Sequence, residues 1–218
     1  MPKAKAALQK EWDKLRDKKA FLLDTVKPKA WVQAEAKRTG KTVHFGGLME
    51  LCHEKHSELP EQFRSYKGRV VFRGDNVRDE DGFYAVFSEQ GTGASHLAAA
   101  KFIDAISRFP DCDGENADAT SAYTQVVFED LRNAGEDVPE TWVTLPPHIR
   151  PPSWSKIEDP VCQLAVNLYG HPLAGLYWEK HCHKAIKDCG FEPVRGWECL
   201  FVHRKWQLFL SIYVDDFK

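Results

Sequence analysis

The 218-residue chain is long enough for one large domain or two small ones around a hydrophobic core. Its 43% hydrophobic and 28% charged residues are ordinary for a soluble globular protein, and a net charge of -2 excludes a uniformly basic nucleic-acid-binding surface. Six cysteines without framework spacing, a charged amphipathic start (MPKAKAALQKEWDKL) and no apolar stretch of membrane-spanning length predict an intracellular chain with reduced thiols and no membrane partner.

In chain order, Ala4, Leu8, Trp12 and Leu15 recur at helical spacing and predict an N-terminal helix. The Lys/Arg-rich stretch from Lys3 to Arg38 is a candidate local nucleic-acid surface, with a solvated helical face as the plainer reading. From Lys27 to Pro60 the periodicity is weak, and irregular structure with short helices is expected. YKGRVVFRGD (Tyr66 to Asp75) reads as a strand, with Val70, Val71 and Phe72 between basic residues. NVRDEDGFYAVFSEQGTG is turn-rich and reads as a surface loop.

A helix is expected after Ser95 as N-cap, with Ala99, Phe102, Ile103 and Ile106 as its apolar stripe and Pro110 as its stop. ENADATSAYTQ then carries Asp118 in a short strand-like run. The four prolines of VTLPPHIRPPSWS predict a loop. A second helix is expected over Ala174 to Cys189, with Trp178, Cys182, Ala185 and Cys189 on one side and Gly190 at its C-terminal cap. WECLFVHRKWQLFLSIYV splits at Arg204-Lys205 into a hairpin. Its second strand sends Leu208, Leu210, Ile212 and Val214 one way and Phe209, Ser211 and Tyr213 the other.

That strand ends on two adjacent acids, Asp215 and Asp216. Neighbouring carboxylates repel each other, and burial would add a desolvation penalty. A solvated turn relieves them; so does a divalent cation, and Mg²⁺ favours one or two carboxylates plus phosphates and water. A further acid on a second strand would complete a two-metal phosphoryl-transfer site. Asp118 is the candidate, followed five positions later by Tyr123.

The pair DATSAY (Asp118 to Tyr123) and YVDD (Tyr213 to Asp216), in this order, resembles the two metal-binding motifs of reverse transcriptases. The nearest likeness is to those of copia-type retrotransposon polyproteins. YKGRVVFRGD is similar to their basic fingers strand, WVTLPPHI to their Pro-Pro segment, and VCQLAVNLYGHPLAGLYWEKHCHKAIKDCGF to their Leu-Tyr-Gly and Trp helix. The likeness runs from about Tyr66 to the end.

The resemblance implies an α+β fold: a partial right-hand polymerase with fingers, palm sheet and packed helices, and no thumb. Residues 1–65 would form a helical arm and 66–218 the incomplete fingers-palm. It implies that Asp118 and Asp215, supported by Asp216 and the Ala119 carbonyl, hold two Mg²⁺ ions, with Mn²⁺ as a substitute. These would serve transfer of a dNTP to a primer 3′-hydroxyl. Tyr123 takes the place of the steric gate under the incoming sugar, and Tyr213 lies beside the primer terminus. Lys67, Arg69 and Arg73 alternate along one strand and can share a face; the resemblance puts at least one of them on the triphosphate, with a solvated edge strand as the plainer reading. The implied partners are an RNA or DNA template, a DNA primer, a dNTP and the rest of the Pol polyprotein. The implied location is a cytoplasmic virus-like particle or the nucleus.

Two departures stand out. Leu173 replaces a family Gln that abuts the nucleotide, and a Leu side chain forms no hydrogen bonds. The return strand of the palm hairpin is expected to be missing, leaving an open sheet edge and little or no polymerase activity in the isolated chain. A catalytically inert nucleic-acid-binding remnant is therefore the alternative. A zinc-stabilised interaction domain, built on His181 to His183 with Cys189 or on Cys52, His53 and His56, is a distant third. GTGASH is too short and misplaced for a phosphate loop.

Overall fold

The computed structural model describes residues 2–87 and 97–218. The chain divides into two compact units, one of residues 1–87 and 127–174 and the other of residues 88–126 and 175–218. The dividing point expected at 65/66 does not separate them, because a long hairpin spans it.

The first unit opens with helix α1 (Pro2–Asp17), which buries Trp12 and Leu15 as its spacing predicts. Strand β1 (Phe21–Pro28) and helix α2 (Lys29–Thr39) follow. Gly40, at φ 65°, ends α2 in the left-handed conformation that favours glycine, and the Lys41 N–H bonds back to the Ala36 carbonyl. Strand β2 (Val43–Lys55) then runs thirteen residues through the stretch expected to be irregular. Its first half is buried, and its partners are β3 (Ser65–Phe72), antiparallel, and β5 (Glu140–Thr144), parallel.

With β6 (Pro160–Leu164) these strands form a sheet of order β1-β6-β5-β2-β3. Val32 and Ala36 of α2 pack with Val43, Phe45, Trp142 and Val161 in one core cluster. A β-carbon at Gly46 would run into the Phe72 ring, so Gly46, one of the two glycines that mask the strand in sequence, is what admits that ring. A β-carbon at Gly68 would stand 2.6 Å from the Ala7 carbonyl oxygen, which lets α1 lie close on β3. Trp12 adds an indole N–H donated to Glu50 at 2.5 Å and an edge-on contact with Phe21.

Within the loop expected at 76–93, Arg78 bridges both Phe45 and Tyr84, and Val77 is buried. The loop's last residues, and GTGASH with the proposed cap Ser95, lie outside the described residues. VTLPPHIRPPSWS begins inside β5 and continues as two 3-10 turns, Pro147–Ile149 and Pro152–Lys156. Helix α4 (Phe128–Asn133) completes this unit.

The second unit holds α3 (Leu97–Ile106), β4 (Ala117–Asp118), α5 (Ala174–Asp188), β7 (Glu192–Pro193), β8 (Leu200–His203), β9 (Leu208–Tyr213) and β10 (Asp216–Phe217). Its sheet order is β4-β10-β9-β8-β7. Ala99 and Ile103 of α3 pack on Leu200, whereas Phe102 stays partly exposed. α5 buries Trp178, Cys182 and Ile186, four residues apart. The face drawn through Ala185 and Cys189 is thereby corrected, since both are exposed. Gly190, at φ 93°, caps the helix as expected.

The β8-β9 hairpin forms where predicted. The two-face split of β9 does not hold, because Ser211 and Ile212 are both buried while Leu208 and Phe209 are both exposed. Burial in β9 changes along the strand, exposed at Leu208 and Phe209 and buried at Ser211 and Ile212, which a period-2 pattern does not encode.

Candidate functional site

The second unit's sheet gathers the acids. Tyr213 ends β9, Val214 and Asp215 make a two-residue turn, and Asp216 starts β10 opposite Tyr213. β10 then pairs with β4, so that Asp216 faces Asp118 and Phe217 faces Ala117. Directly opposed residues in an antiparallel ladder sit roughly 4.5–5.5 Å apart at Cα and project from the same face. The Ala119 N–H donates to the Asp215 carbonyl at 2.7 Å. The missing return strand is thus corrected: β10 exists, and Ser211 and Lys218 exchange two backbone hydrogen bonds of 2.9 and 3.0 Å beyond it. The edge of β9 expected to stand open is paired.

The turn is not relaxed. Val214 has φ 58°, a left-handed conformation that a β-branched residue enters at a cost. Trp178 of α5 donates its indole N–H to the Val214 carbonyl at 2.5 Å and so ties the turn to the helix.

Beyond Asp118, Ser121 is left-handed (φ 57°) and starts a 3-10 turn over Ala122–Gln125. Thr124 and Gln125 brace it through side-chain bonds to the carbonyls of Ser121 and Thr120. This turn fixes half-buried Tyr123 near Asp215; burial first and the Asp215 carboxylate second hold the phenol above its usual range. The Ala119 carbonyl accepts from the Ala122 N–H at 3.2 Å and retains a second lone pair. Tyr213 is mostly exposed, on the strand that leads into the turn.

Asp118, Ala119, Tyr123, Tyr213, Asp215 and Asp216 are therefore brought into one constellation. Asp118 and Asp216 are exposed, and among the described residues neither forms an ion pair with a basic side chain. Like charges opposed across a ladder destabilise it; the carboxylates of Asp118, Asp215 and Asp216 do not bring donor oxygens all within 4.8 Å of one another.

Lys67, Arg69 and Arg73 stand in the first unit. Lys67 and Arg69 share the exposed face of β3, and the Arg69 guanidinium lies 5.5 Å from the Tyr169 ring centre. Arg73 lies past the end of the strand and pairs with Asp75 at 3.1 Å, which corrects its place on the same strand face. Leu173 is half-buried just before α5, its N–H bonded to His171.

The zinc sets read from sequence do not assemble. His53 lies in a strand and His56 in a turn at φ 59° rather than on one helical face, Cys189 is exposed, and His181 stacks on Trp178. Sequence reasoning missed a different set, Glu179, His183 and Cys199, whose ligand atoms all lie within 4.8 Å of one another. The spacing Glu179-His183 is an i,i+4 signal, but only the fold brings Cys199 to it.

A stretch of 70 residues, 32% of this chain, is 37% identical to the "Truncated transposon Ty1-A Gag-Pol polyprotein" and to the "Transposon Ty1-DR5 Gag-Pol polyprotein" of Saccharomyces cerevisiae. The match covers 6% and 4% of those proteins, so the chain spans a small part of the curated relatives it matches. That stretch is homologous to retrotransposon Gag-Pol polyproteins. No protein-family model matches the chain, and no solved structure does. No helix among the described residues is long and apolar enough to cross a membrane.

Proposed function

We propose that this chain is a portion of a copia-type retrotransposon reverse transcriptase, its second unit carrying the palm site for nucleotidyl transfer. The observation that carries the reading is the pairing of Asp216 with Asp118 across β10 and β4, with Ala119 bonded to Asp215. The homology to transposon Gag-Pol polyproteins supports it independently.

In this reading Asp118, Asp215 and Asp216 hold two Mg²⁺ or Mn²⁺ ions, with the Ala119 carbonyl as a further oxygen donor. Bound there, the ions would make a primer 3′-hydroxyl more acidic and offset the charge of the triphosphate and departing pyrophosphate. The chain's own residues do the rest. The Tyr123 ring, braced by its 3-10 turn, fills the space that a 2′-hydroxyl would need and so selects deoxynucleotides. Tyr213 presents a ring edge to the primer sugar and base. Trp178 holds the Val214 carbonyl, and with it the direction in which Asp215 leaves the turn. At least one of Lys67, Arg69 and Arg73 is assigned to the triphosphate, where positive charge offsets the developing anion.

Partners in this reading are an RNA or DNA template, a DNA primer and dNTPs. The alternative, an inert nucleic-acid-binding remnant, is favoured by one feature: Leu173 offers no hydrogen bond where the family has a Gln. Primer extension on an RNA template, with Mg²⁺ or Mn²⁺, separates them. Incorporation that is abolished in Asp118→Ala supports the enzyme; template binding without incorporation supports the remnant. Incorporation unchanged in Asp118→Ala refutes the assigned site.

A further inference from the structure

We propose that Glu179, His183 and Cys199 form a second, separate metal site, one for a thiophilic divalent cation of the Zn²⁺ class. Its ligands are other residues than the aspartates, although Tyr123 and Tyr213 wall the same cavity, and it stands on side-chain placement within the second unit.

Glu179 and His183 lie one turn apart on the same face of α5, as an i,i+4 pair must. Cys199 reaches them from the residue just before β8, where it adopts φ 54°. That left-handed conformation is uncommon for a residue with a β-carbon. It accompanies a thiol placed 4.0 Å from His183 Nε2, while His183 Nδ1 is 3.9 Å from Glu179 Oε1. The imidazole is held by the edge-on Phe201 ring at 5.0 Å. All three residues line a cavity of about 150 Å³, with Cys182, Tyr213 and Val214 among its other walls. The cavity leaves room for a metal and a water in the remaining position.

The donor set selects the ion. Thiolate, imidazole and carboxylate together suit Zn²⁺, whereas Mg²⁺ takes oxygen donors and keeps most of its water. Tetrahedral zinc places its ligand atoms roughly 3.4–3.6 Å apart, given bonds of about 2.0–2.3 Å. The Cys199 thiol stands 4.0 Å from His183 Nε2, and one ligand atom from each of the three residues lies within 4.8 Å of the others, so side-chain rotations bring them to that geometry. Cys199 and His183 Nε2 form the core pair, and the Glu179 carboxylate swings in as the third ligand.

A nucleophilic Cys-His pair is the competing use of the same atoms, and the local electrostatics oppose it. Burial raises the Cys199 thiol, and Glu179 and Glu198 raise it further. Burial also lowers His183. A thiol held in its protonated form is a poor nucleophile. A cation reverses this, since a coordinating thiol gives up its proton outright.

The test uses the full chain stripped with a chelator, then titrated with Zn²⁺ against a chromophoric competitor and with Co²⁺ as a spectroscopic substitute. One equivalent of Zn²⁺ is expected, with a thiolate-to-cobalt charge-transfer band. Cys199→Ser or His183→Gln should weaken Zn²⁺ binding by roughly 100-fold or more, and Glu179→Gln by roughly 10-fold or more. Cys189→Ser, at an exposed thiol elsewhere on the unit, should bind as the parent does. A parent chain that takes up no Zn²⁺, or Cys199, His183 and Glu179 variants that bind it as tightly as the parent, would overturn the proposal. If Cys199→Ser does not fold, the conservative Glu179→Gln decides: a Zn²⁺-dependent rise in Tm seen in the parent must shrink in that variant, and an undiminished rise refutes the site.

Discussion

The indole N–H of Trp178 bonds to the carbonyl of Val214, and this contact ties α5 to the two-residue turn between β9 and β10. The carbonyl belongs to a residue in a strained conformation, so the bond holds the turn where it would otherwise relax. Trp178→Phe keeps a ring in place but strands that carbonyl. A loss of roughly 0.5–1.5 kcal/mol is expected, the net worth of an ordinary intramolecular hydrogen bond, because Val214 is 40% exposed and water reaches the freed carbonyl. Urea denaturation monitored by far-UV circular dichroism measures it; a variant as stable as the parent would mean the turn does not depend on this bond.

Asp216 and Asp118 oppose each other on one face of a two-residue ladder. Removing one charge should therefore stabilise the metal-free chain while impairing cation binding. For Asp216→Asn the gain is roughly 0.2–1 kcal/mol, the size of an ordinary cross-strand pair effect. In the same variant the rise in Tm produced by Mg²⁺ or Mn²⁺ should shrink. A destabilised metal-free variant, or one with an undiminished metal response, would count against a shared cation.

Gly46 exists to admit the Phe72 ring. Gly46→Ala should cost roughly 1–3 kcal/mol, as overpacking does, despite the benefit alanine usually confers by stiffening the unfolded chain. Combining it with Phe72→Leu should recover part of the loss, giving a coupling energy of roughly 0.5–3 kcal/mol. Strictly additive losses would show that the ring is not the obstacle.

His171 is packed among Phe72, Phe87 and Phe128, and its Nδ1 accepts the Leu173 N–H. Burial first, and His44 second, lower it from 6.5 to about 4. Above pH 6.5 both folded and unfolded chains carry the neutral ring, and its contribution is intact. As pH falls from 6.5 toward 4, the unfolded chain binds a proton that the folded one refuses, and stability is lost. The loss approaches ~3 kcal/mol by pH 4. His44, lowered in the same direction by burial, adds to it. In His171→Gln the fall in stability between pH 7 and 4 should be shallower than in the parent; parallel profiles would exclude this residue as a cause.

The elements read correctly from sequence are those with strong local signals. The α1 stripe ending on Trp12 and Leu15, the Gly190 cap and the Arg204-Lys205 break all lie within a few residues of what they specify. β2 was missed for the opposite reason. Its glycines and charged second half suggest a loop, and it becomes a strand because β5 pairs with its first five residues and β3 with the remaining eight. The α5 face was misplaced by one position, Ala185 for Ile186, because helix periodicity does not say where the neighbouring sheet lies.

For the candidate sites, residue types and order were enough to nominate Asp118, Asp215 and Asp216, since two acidic motifs ending short apolar runs form a local pattern. Their arrangement was not: whether Asp118 meets Asp216 depends on β10 inserting between β9 and β4, a long-range pairing that no local propensity encodes. The same holds for Cys199, which becomes a partner of His183 only once β8 is laid beside α5. Local chemistry is written residue by residue along the chain, whereas convergence is a product of backbone hydrogen bonding and burial between segments far apart in it.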